Sequence, residues 1–126
     1  AKCSSGSDPP TKAGTSEESR YPMTHRVYFL SKLRPGVDPS DYEAWIRRTD
    51  YPVARACPAI LSYDVTRIDG TLDGQDTPSV NYLEVIEVTD IEEYRAAGKA
   101  PEFVKLLEEW ATYVDLEEAL HGPVVE

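Results

Sequence analysis

"AILSYDVTRIDGTLDGQDTPSVNYLEVIEVT", residues 59–89, reads as two strands separated by one loop. "AILSYDVTRI" (59–68) alternates apolar and polar residues, the period of a half-buried strand. "DGTLDGQDTPS" (69–79) is rich in Gly, Pro, Asp and Ser, each of which favours turns over ladders. "VNYLEVIEVT" (80–89) alternates again. Two consecutive strands in the middle of a short chain make the arrangement of their flanks decisive. Upstream, "HRVYFLSKL" (25–33) is β-branched and aromatic and ends at "RPG", a strand followed by a turn. "DPSDYEAWIRRTD" then opens a helix: Asp38 can cap it, Pro39 suits its first position, and Asp41 favours its positive end. Tyr42, Trp45, Ile46, Thr49 and Val53 form a stripe at helical spacing, and Pro58 closes the segment. Pro52 has no N–H and disfavours helical angles at Tyr51, so the reading has the helix stop there, turning Asp50 and Tyr51 out of register, and then restart. Downstream, Asp90 and Glu93 match a capping box for a short helix through Ala97. Gly98 and Pro101 interrupt it, and "PEFVKLLEEWATYV" (101–114) restarts with Phe103, Val104, Leu107, Trp110 and Val114 on one face. "DLEEALHG" (115–122) is left as a weak final strand.

The order is β-α-β-β-α-β, an α+β ferredoxin-like arrangement with an antiparallel four-stranded sheet and its helices on one face. In the first strand Val27, Phe29 and Leu33 share one side, which suits the helices. Arg26, Tyr28, Leu30 and Lys32 share the other, which nothing in the chain covers. That mixed apolar face suits a second copy of the sheet, so a homodimer is expected.

At 126 residues the chain fits one domain, and 40% hydrophobic with 29% charged residues marks a globular class. Residues 1–22 are polar, and residues 1–20 contain no aromatic and no Val, Leu or Ile; they read as an upstream extension or an expression remnant before a domain at 23–126. The net charge of -10 argues against nucleic acid and anionic membranes as partners. No apolar run reaches the ~18 residues of a membrane span. Cys3 and Cys57 form no framework and read as reduced thiols in a cytoplasmic protein.

The segments "HRVYFLSKLRPGVDP", "TDYPVARACP", "SYDVTRIDG" and "YLEVIEVTDIEEYRAA" carry a resemblance to the dimeric α/β-barrel superfamily, and more closely to its REDY-like group of small proteins from prodigiosin- and bisindole-type biosynthetic clusters. The resemblance spans roughly residues 24–121. It implies two sheets facing each other in a barrel, each subunit holding a pocket between its sheet and its own helices. Relatives include cofactor-free cyclases, isomerases and oxygenases of aromatic or polyketide intermediates, and haem-binding members. In cyclases of this fold a His early in strand 1 and a Tyr at the start of the second helix form an acid/base pair, and His25 and Tyr94 stand at the matching places. The second His of those cyclases is missing: the stretch reads "GKAPEF".

His25 shares parity with Val27 and Phe29, so it points toward the helices, and imidazole exchanges protons at neutral pH. Asp50, if buried, would raise its own pKa or pair with His25 and hold one tautomer. Tyr51 or Tyr94 would donate to a developing oxyanion. Tyr63 shares parity with Leu61 and Val65 and faces the core, where its hydroxyl would need a partner. Phe29, Trp45, Tyr63 and Trp110 would wall a planar substrate, with core packing as their alternative role; His121 reads as exposed. No H-x-x-x-H, C-x-x-C, G-x-G-x-x-G, P-loop or G-x-S-x-G occurs, so no metal or nucleotide cofactor is expected. The expected function is therefore a cofactor-independent acid/base step on a small aromatic, pyrrole-, indole- or polyketide-derived intermediate: cyclisation, isomerisation, or water addition or elimination. A cofactor-free monooxygenase and a non-catalytic carrier are the alternatives.

Overall fold

The computed structural model describes residues 24–126; Cys3, Met23 and the polar N-terminal stretch lie outside the described residues. The elements are β1 (His25–Leu33), α1 (Pro39–Trp45), a π-turn (Ile46–Asp50), α2 (Tyr51–Arg55), β2 (Ile60–Arg67), β3 (Tyr82–Val88), α3 (Ile91–Ala97), α4 (Pro101–Tyr113) and β4 (Val114–Pro123). The four strands form one sheet in the order β2-β3-β1-β4 with every neighbour antiparallel. The sequence order and the sheet match the ferredoxin-like expectation.

One expectation fails. The helix begun at Pro39 does not stop before Pro52. The N–H of Tyr51 bonds to the carbonyl of Ile46, five residues back, so the chain widens into a π-turn and runs straight on into α2. Pro52 follows directly, where its missing N–H and bulky ring fall on a turn already opened. Asp38 caps this helix by accepting from the Ser40 N–H at 2.8 Å, and Asp90 caps α3 by accepting from Glu92 and Glu93.

Two β-bulges reset the side-chain alternation. Between Ile60 and Ser62 the register of β2 on β3 slips, so Ile60 is buried while Leu61 is 52% exposed, and Tyr63 and Val65 continue the buried face without Leu61. Between Leu30 and Ser31 the register of β1 on β4 slips too, opposite Glu118 and Leu116. Leu116 therefore shares the helix-facing side with Ser31, while further along Ala119 and His121 share it with Phe29 and Val27.

The core lies between the sheet and the helices. One group centres on Val27, Ile60, Tyr63, Ile86 and Val88, the other on Tyr42, Trp45, Ile46, Tyr82, Leu106 and Val114. On the opposite face Tyr28 pairs with Val85 and Leu120, and Leu30 pairs with Leu83. This apolar strip has no cover within the described chain.

Candidate functional site

Alternation along β3 puts Tyr82, Glu84, Ile86 and Val88 on the buried face, so a carboxyl stands where an apolar residue would be routine. Glu84 and Asp50 are each only 4% exposed. The π-turn explains Asp50: the wider turn carries its side chain inward, although it follows the exposed Arg47 and Arg48. The Tyr63 hydroxyl lies between the two acids, in a short hydrogen bond to Asp50 Oδ2 and 3.2 Å from Glu84 Oε1. Trp110 Nε1 donates to Glu84 Oε2 at 2.8 Å and lies 3.0 Å from the Tyr42 hydroxyl.

The single hydrogen of Tyr63 limits the direction of these bonds. Tyr63 has one hydrogen, and the short bond gives it to Asp50. Glu84 Oε1 then faces the Tyr63 oxygen, and that contact becomes a hydrogen bond when Glu84 carries a proton. Burial pushes the Glu84 carboxyl up to about 7, with the nearby Asp50 adding to it. Burial likewise pushes Asp50 up to about 6, against the hydrogen bond from Tyr63. While Glu84 carries a proton, the bonds run in one direction, Glu84 to Tyr63 to Asp50.

Beside this chain lies a cavity of about 350 Å³ between the sheet and α3 and α4, walled chiefly by Phe29, Ile60, Tyr94, Phe103, Leu107 and Trp110. Phe29 and Trp110 meet edge to face at 6.1 Å. The Tyr94 hydroxyl has no hydrogen-bond partner among the described residues. Burial, reinforced by the negative charge of Glu84 and Asp50, drives its pKa well above the ordinary phenol value and keeps it protonated. A half-buried phenol without a partner among the described residues leaves its hydroxyl free to donate to a ligand oxygen.

His25 does not line this cavity and is linked to it through His121 and Arg95. It is half-buried, and its Nε2 lies 2.9 Å from His121 Nδ1, the rings stacked with centroids 5.1 Å apart. His121 Nε2 in turn lies 3.5 Å from Nη2 of Arg95, which lines the cavity. A guanidinium only donates, so Arg95 faces His121 Nε2 as a donor, and the bond between the two rings needs one of its nitrogens to carry a hydrogen and the other to accept.

Two expected relationships are corrected. Asp50 does not orient His25, because the π-turn delivers it to Tyr63; the partner of His25 is His121, brought beside it by the pairing of β1 with β4. Tyr51 does not open on the apolar cavity. Its hydroxyl accepts from the Val65 N–H at 3.0 Å, Arg55 lies over its ring at 3.7 Å, and it lines a separate cleft of about 200 Å³ with Glu43, Arg47 and Arg67. Trp45 and Tyr63 are buried and do not line the cavity, Trp45 donating to Glu109 at 2.9 Å. The structure thus brings Phe29, Tyr94 and Trp110 to one cavity, which His25 does not line. The sequence reading missed Glu84 and Tyr42; the acid in the middle of "YLEVIEV", on the parity of Ile86 and Val88, was the signal.

Among the described residues, no group of three or more His, Cys, Asp and Glu side chains is placed to hold a metal, and no helix is long and apolar enough to cross a membrane.

Fold and site together define a small ferredoxin-like α+β protein with an aromatic-walled cavity between its sheet and helices. Residues 25–125 match the family described as REDY-like protein HapK, and the chain belongs to that family. No curated protein matches the sequence significantly. Among solved structures, HapK from Hahella chejuensis is similar at 22% identity and a TM-score of 0.69, covering 80% of this chain and 92% of that one. A dimeric ferredoxin-like protein of unknown function from Thermobifida fusca is similar at 19% identity and a TM-score of 0.62, covering 82% and 92%. SnoaB, a cofactor-independent oxygenase from Streptomyces nogalater, is similar at 13% identity and a TM-score of 0.65, covering 82% and 95%.

Proposed function

We propose that the protein is a cofactor-independent acid/base enzyme acting on a small aromatic intermediate of natural-product biosynthesis, pyrrole-, indole- or polyketide-derived. The observation that supports this best is the unpartnered phenol of Tyr94 in the wall of an apolar aromatic cavity. A planar ring stacks against Phe29 and Trp110. Tyr94, held protonated, donates to a ligand oxygen as negative charge develops on it. The His25–His121 pair, next to Arg95 of the cavity wall, takes or returns the proton; their mutual hydrogen bond requires at least one neutral ring. Proton transfers of this kind suffice for cyclisation, isomerisation, or addition and elimination of water. The protein works as a homodimer in which the strip around Tyr28, Leu30, Leu83, Val85 and Leu120 packs on its counterpart.

The test starts from ligand binding. Indoles, pyrroles and phenols are titrated while the two imidazoles are followed by NMR and the tryptophans by fluorescence. A ligand that perturbs both signals identifies the substrate class. With a turned-over substrate, His25→Ala is expected to slow the reaction by roughly two to four decades, and Tyr94→Phe by a similar amount. If no compound of the panel moves either signal, the cavity is not a ligand site. The likeness to SnoaB supports a second reading, oxygen chemistry on an electron-rich ring. An oxygen electrode separates the two, since proton transfer alone consumes no O2.

A further inference from the structure

Arg95 is the one charged side chain among the residues lining the aromatic cavity. The rest of that lining is apolar or aromatic apart from the Tyr94 phenol. α3 places Arg95 directly after Tyr94 in the cavity wall, with the guanidinium half-exposed and next to His121, which the pairing of β1 with β4 brings to His25. Nη1 is committed to Glu92 at 2.7 Å in an i,i+3 ion pair on the same helix. Nη2 is not committed in the same way. Its contact is His121 Nε2 at 3.5 Å, long for a hydrogen bond. A guanidinium edge with a loosely engaged donor, in the wall of an apolar cavity, fits a carboxylate or comparable anion on an aromatic body.

We propose that the ligand of this cavity is an aromatic acid, its ring held between Phe29 and Trp110 and its anionic group held by Arg95 Nη2. This rests on the cavity being the ligand site proposed above. The anion replaces His121 as the partner of Nη2, which releases His121 Nε2 from that contact. The cluster thus does two things. It selects a negatively charged substituent in a protein whose own charge of -10 repels anions elsewhere. It also frees an imidazole nitrogen only when such a ligand is in place.

Calorimetry with indole, indole-3-carboxylate and indole-3-carboxamide tests the assignment. The carboxylate is expected to bind about tenfold more tightly than the carboxamide, a neutral molecule of the same shape. Arg95→Gln is expected to abolish that preference, and Arg95→Lys to retain part of it. Arg95 is exposed and outside the core, so both variants fold. Equal binding of carboxylate and carboxamide by the unaltered protein overturns the proposal and leaves the cavity reading intact. So does a preference that survives Arg95→Gln. Failure of all three compounds to bind overturns both.

Discussion

Glu84 sets the electrostatics of the interior. Its folded pKa of about 7 lies above the ordinary glutamate value, so between pH ~4.5 and ~7 the native state holds a proton that the unfolded chain has lost. The sign follows: stability declines as pH rises through that window and levels off above it. Asp50, at about 6, adds a decline of the same sign over a somewhat lower range. The total is on the order of a few kcal/mol. Glu84→Gln keeps the shape, donates to the Tyr63 oxygen and accepts from Trp110. Urea unfolding at pH 5 and pH 8 is expected to show the original protein losing stability over that interval. The Gln variant should lose about half as much or less and be the more stable of the two at pH 8. A variant with the same slope as the original would show that Glu84 carries no extra proton. The sequence held the clue to this residue in the parity of β3. It held none to the partnership of Asp50 with Tyr63, because that depends on a change of helical pitch between Ile46 and Asp50.

At the level of the elements, most of the order was readable because the signals were local. The caps at Asp38 and Asp90 and the proline at the start of each longer helix are properties of three or four adjacent residues. Asp90→Ala removes the acceptor for the Glu92 and Glu93 N–H groups. It is expected to cost about 1 kcal/mol in urea unfolding and to loosen α3, which carries Tyr94 and Arg95. What was not readable depends on register between strands. β4 looked weak because its inward residues are Val114 and Leu116 on one side of the bulge and Ala119 and His121 on the other, so no single alternation runs through it. The partnership of His25 with His121 is hidden for the same reason, since 96 positions separate them and only the pairing of β1 with β4 joins them. In β2 the bulge after Ile60 turns Leu61 outward against its expected parity with Tyr63.

For the whole molecule, the uncovered strip of the sheet makes a definite expectation. A 14.1 kDa chain that pairs through Tyr28, Leu30, Leu83, Val85 and Leu120 sediments at twice that mass. Val85→Arg and Leu120→Asp place charge in the middle of that strip and are expected to give monomers with the fold retained, since neither residue touches the helix side. Sedimentation of the original protein as a stable monomer would contradict the pairing. The general shape was legible early, because unpaired apolar parity in β1 already required a cover for one face. The family resemblance implied a cavity between the sheet and its helices, but not its walls, which depend on how α3 and α4 stand off the sheet.

The π-turn has a consequence for comparing this chain with its relatives. A bond spanning five residues encloses one more residue than the ordinary helical turn, so a relative with an uninterrupted α-helix here is one residue shorter between Ile46 and Tyr51. Aligned without a gap, such a relative would set Asp50 against a position one helical step away, about 100° around the axis. Its inward acid would then be scored as a surface residue, and the variability of the surface would mask the column that holds the proton chain together.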